Sequence, residues 1–176
     1  MAHFHFGPGD VVGSLSCVDP KTGQDRVIIS VSGKPEDVEV VYAEMRDSVR
    51  QDYVFAPAVI NQGYWAGHDD FRFQAGRNAD GSIFEGDSLT CPEPRLYQCA
   101  RENGWIVTGM SLLWRGSGPN PFPDESKDNE SWMKPCPSCA ANRNSILAGV
   151  RRPTIFSKLM NRLKIMQRDS LPRQLR

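Results

Sequence analysis

Four residues in two short stretches have the types and spacing to do chemistry. Cys136 and Cys139 stand in Pro135-Cys136-Pro137-Ser138-Cys139. Residues three apart on the first turn of a helix share a face, so both thiolates point at one spot. That is half of a metal site. The other half lies 45 residues upstream in Thr90-Cys91-Pro92-Glu93-Pro94-Arg95, where Cys91 offers a third sulfur and Glu93 sets a carboxylate beside the ion. Three protein ligands leave the fourth position of a tetrahedral zinc open to water, the arrangement of a catalytic rather than a structural site. The start of the helix carrying Cys136 and Cys139 faces the metal, and its partial positive charge favours the thiolate forms that bind.

Cys91-Pro92-Glu93 followed by Pro135-Cys136-Pro137-Ser138-Cys139 resembles the zinc deaminase signature, a Cys-x-Glu and then a Pro-Cys-x-x-Cys. More loosely, the run from Cys91 to Leu147 is similar to the bacterial toxin-type branch of the cytidine deaminase superfamily; it covers 57 of 176 residues. The resemblance implies an α/β, three-layer α-β-α fold, a mixed sheet with the two motif helices on one face. It implies Zn2+ as cofactor, held by Cys91, Cys136 and Cys139. It also implies hydrolytic deamination of cytosine to uracil in nucleic acid or nucleoside, with a zinc-activated water as nucleophile and Glu93 as proton shuttle. Trp114, Phe122, Trp132 and Ser88 are the expected substrate contacts, and a cognate immunity protein is an expected partner. The chain departs from the family after the second motif helix, where only residues 149–156 could supply a further strand.

Other chemistries compete. The substrate could be a free small molecule: a nucleoside, an adenine-type base or a nucleoside antibiotic. Cys91, Cys136 and Cys139 could instead close a four-thiolate structural zinc with Cys99 or Cys17. A thioredoxin-like use of Cys-x-x-Cys is weaker, because no βαβ pattern opens the chain. Glu93 also stands three residues after Thr90, the spacing of a capping box, which would give it a structural job alone.

The elements that must position these residues can be read in order. Residues 10–32 alternate around an Asp-Pro-Lys-Thr-Gly-Gln turn and predict a hairpin. Residues 35–53 predict a helix, with Pro35 and the acidic Glu36 and Asp37 at its start and Val38, Val41, Met45 and Val49 at helical spacing. Phe71-Arg72-Phe73-Gln74 and Ser82-Ile83-Phe84-Glu85 flank Asn78-Ala79-Asp80-Gly81 and predict a second hairpin. Either hairpin could precede the motif helix in the core, 11–32 or 71–85; we take the first, with its helix, as an N-terminal elaboration spanning 10–53 of a domain over 1–150. Residues 90–103 predict the first motif helix. Residues 105–114, ten mostly apolar positions after Asn103-Gly104, predict the central strand. Residues 115–131 are rich in Gly, Pro, Asn, Asp and Ser, and predict a long loop. His68-Asp69-Asp70 lacks a spacing that presents its groups together and reads as a solvated loop.

Charge is balanced overall, 21 Lys and Arg against 21 Asp and Glu, but not along the chain. Residues 151–176 hold eight Lys or Arg and only Asp169. Within that tail residues 153–167 carry an apolar stripe of Ile155, Phe156, Leu159, Met160, Leu163 and Met166 beside the basic residues. A helix docked on the body, a phosphate-contacting arm using Arg151, Arg152, Lys158 and Arg162, and a membrane-surface helix are the three expectations. Five cysteines, three absorbed by the metal pattern, favour a reducing compartment over a disulfide framework. With no secretory signal pattern and no apolar run long enough to span a bilayer, the expected address is the cytoplasm. Oligomeric state is not legible.

Overall fold

A computed structural model gives the fold of residues 7–49, 53–61, 74–84, 86 and 88–153, the residues described below. The sheet starts with the hairpin β1 (Val11–Val18) and β2 (Asp25–Val31), paired antiparallel from Val12↔Val31 to Val18↔Asp25. Residues alternate across a strand, and β1 divides accordingly. Val11, Leu15 and Cys17 enter the main core, and Val12 packs on the other face against Val31, Val38 and Tyr42. Helix α1 (Pro35–Met45) covers that second face, with Tyr42 hydroxyl donating to Ser30 Oγ at 3.1 Å and its ring 4.7 Å from that of Phe55.

Helix α1 stops at Met45, not at residue 53 as its periodicity suggests. Asp47 and Ser48 compete for backbone hydrogen bonds and end helices. The Tyr53-Val54-Phe55 triplet has aromatic and branched side chains that suit a strand, and it pairs parallel to β2 as β3 (Tyr53–Phe55). The strand β4 (Ile106–Trp114) forms where expected but pairs along the outer edge of β1, so the order of described strands is β3-β2-β1-β4. Among the described strands it stands last, beside the hairpin. The outer side of β4 is met at one end by a parallel bridge, Ile106↔Arg151, where Val107 N–H donates to Arg151 O at 2.9 Å. The chain thus returns alongside β4 at Arg151.

Opposite α1 lie α2 (Pro92–Glu102), α3 (Pro137–Ala141) and α4 (Arg143–Leu147). Leu96, Ala100 and Ile146 from these helices join Leu15, Ile28 and Val107 of the sheet in one core. The result is an α/β molecule of three layers with a mixed sheet, and both motif helices share one face. Gly13 permits the close seat of α2: a Cβ there would stand 2.8 Å from Leu96 Cδ1 and 3.1 Å from Pro92 Cβ.

Of the two candidate hairpins, 11–32 supplies the sheet's inner strands. Residues 71–73 lie outside the described residues; 74–84 form a short antiparallel turn outside the four-stranded sheet, with the bridge Arg77↔Ile83 and with Asn78 N–H donating to Ser82 O and Phe84 N–H to Gly76 O at 2.9 Å each, and we call this stretch the strap. The 115–131 loop is ordered by short bridges, Leu113↔Trp132 and Pro123↔Met133, that fold it back along the end of β4. The His68-Asp69-Asp70 cluster and the 153–167 helix, apart from Pro153, lie outside the described residues. Among the described residues no helix is long and apolar enough to cross a membrane.

Candidate metal centre

Two helix starts build the site. Cys91 is the N-cap of α2, with extended backbone (φ −83°, ψ 146°) and Pro92 at the first helical position. Cys136 is the N-cap of α3 in the same way (φ −62°, ψ 161°), followed by Pro137. Proline belongs there because its missing N–H is one that a helix start leaves unpaired anyway. The capping box expected from Thr90 and Glu93 does not form: Thr90 ends a single 3-10 turn (Ser88–Thr90), and the cap passes to Cys91, which makes no side-chain cap bond. With prolines at 92 and 94, two of the orphan N–H groups of this helix do not exist. That leaves the Glu93 carboxylate without a capping role.

The start of α2 is pinned from behind by Arg95, which is 1 % exposed. Its guanidinium donates to the carbonyls of Val31 (2.8 Å), Gly33 (2.7 Å) and Leu89 (3.0 Å), while Gly33 N–H donates to Thr90 O at 3.0 Å. The end of β2 and the approach to Cys91 are thereby one unit. The start of α3 is pinned by the 74–86 strap. Gln74 N–H donates to Asn142 Oδ1 (2.8 Å), and Asn142 Nδ2 returns bonds to the carbonyls of Gln74 and Ser138, each 2.7 Å. Ser138, between the two cysteines in sequence, accepts from Gly76 N–H (3.4 Å) and donates to Gly86 O (2.8 Å). A Cβ on Gly76 would collide with the backbone of Pro137 and Ser138, so only glycine lets the strap lie this close.

These supports bring Cys91, Cys136 and Cys139 together, with all three sulfurs within 4.8 Å of one another. Cys91 Sγ is 3.4 Å from Cys136 Sγ, and Cys136 Sγ accepts from Cys139 N–H at 3.5 Å. Ligands about 2.3 Å from one tetrahedral ion stand about 3.8 Å apart, so the spacing suits a shared metal. Hydrogen bonds from the Cys139 and Cys91 thiols, then from backbone N–H groups, hold the Cys136 thiol down at about 4. Cys91 and Cys139 are pushed well above the usual thiol range, first by their bonds to that same sulfur and also by burial.

Glu93 shares this environment. It is 4 % exposed. Burial, and next the negative charge of Cys136, raise its carboxyl to about 7, against smaller lowering effects of Arg143 and Cys139. Its Oε2 is buried without a hydrogen-bond partner among the described residues. An orphaned buried carboxylate oxygen is costly unless a cation or a water completes it. Glu93 and the three cysteines line one narrow cavity with Pro92, Val11, Leu112 and Met133. Its volume, traced by the centre of a water-sized sphere, is ≈ 10 Å³, room for about one water. The residues present fit a metal: three soft sulfur ligands, a polar oxygen in need of a partner, and space beside them.

Cys17 and Cys99 are not part of this group. Both are buried in the main core, where desolvation raises their thiols to about 12 and about 11. The four-thiolate alternative therefore lacks its fourth sulfur among the described residues. Of the expected substrate contacts, Phe122 packs edge-on against Phe84, centroids 5.5 Å apart. The Trp114 indole N–H donates to Gly118 O at 2.7 Å, and the ring borders a separate polar cavity of ≈ 410 Å³ with Arg115, Asn120 and Glu130. Trp132 is half-buried and bridges to Leu113. Ser88 opens the 3-10 turn, and its side chain lies outside the described part. Arg151 and Arg152 are exposed, with Arg151 Nη1 donating to Gly104 O at 3.2 Å; Lys158 and Arg162 lie outside the described residues.

Val11, Leu112 and Met133 were not singled out by sequence. The first two sit inside strands whose pairing brings them to the cysteines, and Met133 follows a loop without periodicity. The adjacency of Met133 to the second motif was the one available signal.

An α/β fold presenting a three-cysteine cluster able to hold a metal is the class that fold and site define. Comparisons with protein-family models, with curated proteins and with solved structures return no match.

Proposed function

We propose that this chain is a zinc-dependent hydrolytic deaminase acting on cytosine in nucleic acid or in a nucleoside, with a cognate immunity protein as its cellular partner. One observation carries the proposal: a buried carboxylate oxygen without a partner, on Glu93, in the cavity that three converged sulfurs line. A structural zinc closed by four thiolates has no use for such a carboxylate. Zinc held by Cys91, Cys136 and Cys139 would supply an activated water near neutral pH. Glu93, the buried carboxylate in the same cavity, would take a proton from that water and give it back. It passes the proton to the ring nitrogen and then to the leaving amine, so ammonia departs and a carbonyl remains. The Cys-x-Glu and Pro-Cys-x-x-Cys resemblance supports the same chemistry and is the sole support for cytosine as the base.

A second reading has its own observation. The three cysteines and Glu93 are each 4 % exposed or less, which suits a non-catalytic zinc module with Glu93 as fourth ligand. Incubating zinc-loaded protein with single-stranded DNA, duplex DNA, RNA, cytidine and adenosine, then assaying for uracil, inosine and ammonia, separates the two. The proposal expects a product with at least one substrate, and none from Glu93→Gln protein that still holds about one zinc per chain. Full activity in Glu93→Gln contradicts it. Loss of zinc in that variant, with no product from the parent, favours the module.

A further inference from the structure

The cavity beside the cysteines has walls of two kinds. Val11 and Leu112 belong to paired strands, Val11 opposite Trp114 and Leu112 opposite Gly13. Moving either breaks the ladder. Cys91, Pro92, Glu93, Cys136 and Cys139 belong to the two pinned helix starts. Of the lining residues outside the named helices and strands, Cys91 and Cys136 are the caps of those two helix starts, and Met133 is neither in an element nor a cap of one. Its backbone is held, since Met133 N–H donates to Leu112 O at 2.9 Å and the residue bridges to Pro123. Its side chain, 6 % exposed, is unbranched and has three rotatable bonds, so it can leave the cavity without disturbing a strand.

Volume decides what this means. A space of ≈ 10 Å³ takes a water or one small ligand. A six-membered heterocycle is several times larger and has no room there while Met133 keeps its place. Met133 is also the lining residue that bridges to the 115–131 loop, through Pro123, so rotation of its flexible thioether would widen the cavity without moving a strand or a motif helix.

We propose that Met133 is the size gate of the metal centre: its side chain sets whether a planar ring, as opposed to a water-sized molecule, reaches the position beside the three sulfurs and Glu93. This rests on the metal-centre reading above and makes Met133 a specificity-determining residue, not a ligand. It also reconciles a nearly inaccessible set of cysteines with a site meant for a base. Shortening Met133 widens the entrance permanently; a leucine of similar volume keeps it narrow.

The test uses the full chain loaded with Co2+ and follows the cobalt–thiolate absorption bands, with azide as the small probe and imidazole as the ring-shaped one. Azide should perturb the bands in parent, Met133→Leu and Met133→Ala proteins alike. Imidazole should bind Met133→Ala about tenfold more tightly than the parent, the scale expected when a few methylene-sized groups leave an apolar pocket. Met133→Leu should match the parent, and Met133→Val, the fallback if the alanine variant does not fold, should fall between. Equal imidazole affinity in parent and variants overturns the gate, as does imidazole silence in every variant that azide perturbs. Failure of the parent to take up Co2+ sinks the metal-centre reading itself, an outcome distinct from equal imidazole binding.

Discussion

Glu93 shows how a single residue changes meaning with its neighbours. On a solvated helix it would be an ordinary first-turn acid; between Pro92 and Pro94 it has little to cap, and burial leaves it facing sulfur. Cys91, Cys136, Cys139 and Glu93 were legible in the sequence because their relation is local, three residues apart in one motif and two in the other. Val11, Leu112 and Met133 were not, because only strand pairing and a loop's return bring them to the same cavity. The other two cysteines yield a prediction at this scale. Burial raises Cys17 to about 12 and Cys99 to about 11 in the folded chain, against about 8.5 for an unfolded thiol. Groups raised on folding contribute stability that is complete below the unfolded value and lost as pH climbs through the folded one. Denaturant midpoints should therefore fall progressively from about pH 8.5 upward, and a Cys17→Ala, Cys99→Ala protein should fall less steeply relative to its own value at pH 7. Identical alkaline slopes would remove these thiols from the account.

Elements followed the sequence where a pattern was self-contained. The hairpin, the first motif helix and the ten-residue strand all stand where alternation, proline and apolar content put them. The misjudged elements were decided by partners. Helix α1 gives way after Met45, and the residues after it gain a parallel place beside β2. Strand β4 reads as central by composition; it ends the order of described strands, and Arg151 bridges to its outer side at Ile106. The 74–86 strap matters most for the site, since Asn142 and Ser138 tie it to the helix holding two of the three sulfurs. Asn142→Ala should weaken zinc binding roughly tenfold, the lower end of what outer supports of a metal site contribute. Gly76→Ala, which drives a methyl into the Pro137–Ser138 backbone, should weaken it more. Competition with a chromophoric zinc chelator measures both, with the exposed Val59→Ser as control. Unchanged affinity in Asn142→Ala and Gly76→Ala would mean that the strap does not hold the ligand helix in place.

At the scale of the whole molecule, the three layers explain why two motifs 45 residues apart meet. Helices α2 and α3 lie on the same face of one sheet, β4 connects toward that face, and Gly13 lets the first helix start sit against β1. The sequence pattern implied this layering through the resemblance and could not say which hairpin formed the sheet, because both have turn residues and alternating flanks; packing against α1 and α2 favours the more apolar one. The basic run over 151–176 keeps its place as an expectation about an anionic partner, with Arg151 and Arg152 exposed at its root. The central claim is that three sulfurs from two helix starts hold one ion whose fourth position is not sulfur. X-ray absorption at the zinc edge of the loaded protein tests it most directly. The account predicts three sulfur neighbours at about 2.3 Å and one oxygen or nitrogen at about 2.0–2.2 Å. Four sulfurs, or a zinc that stays bound after Cys91→Ala with its sulfur count unchanged, would contradict it.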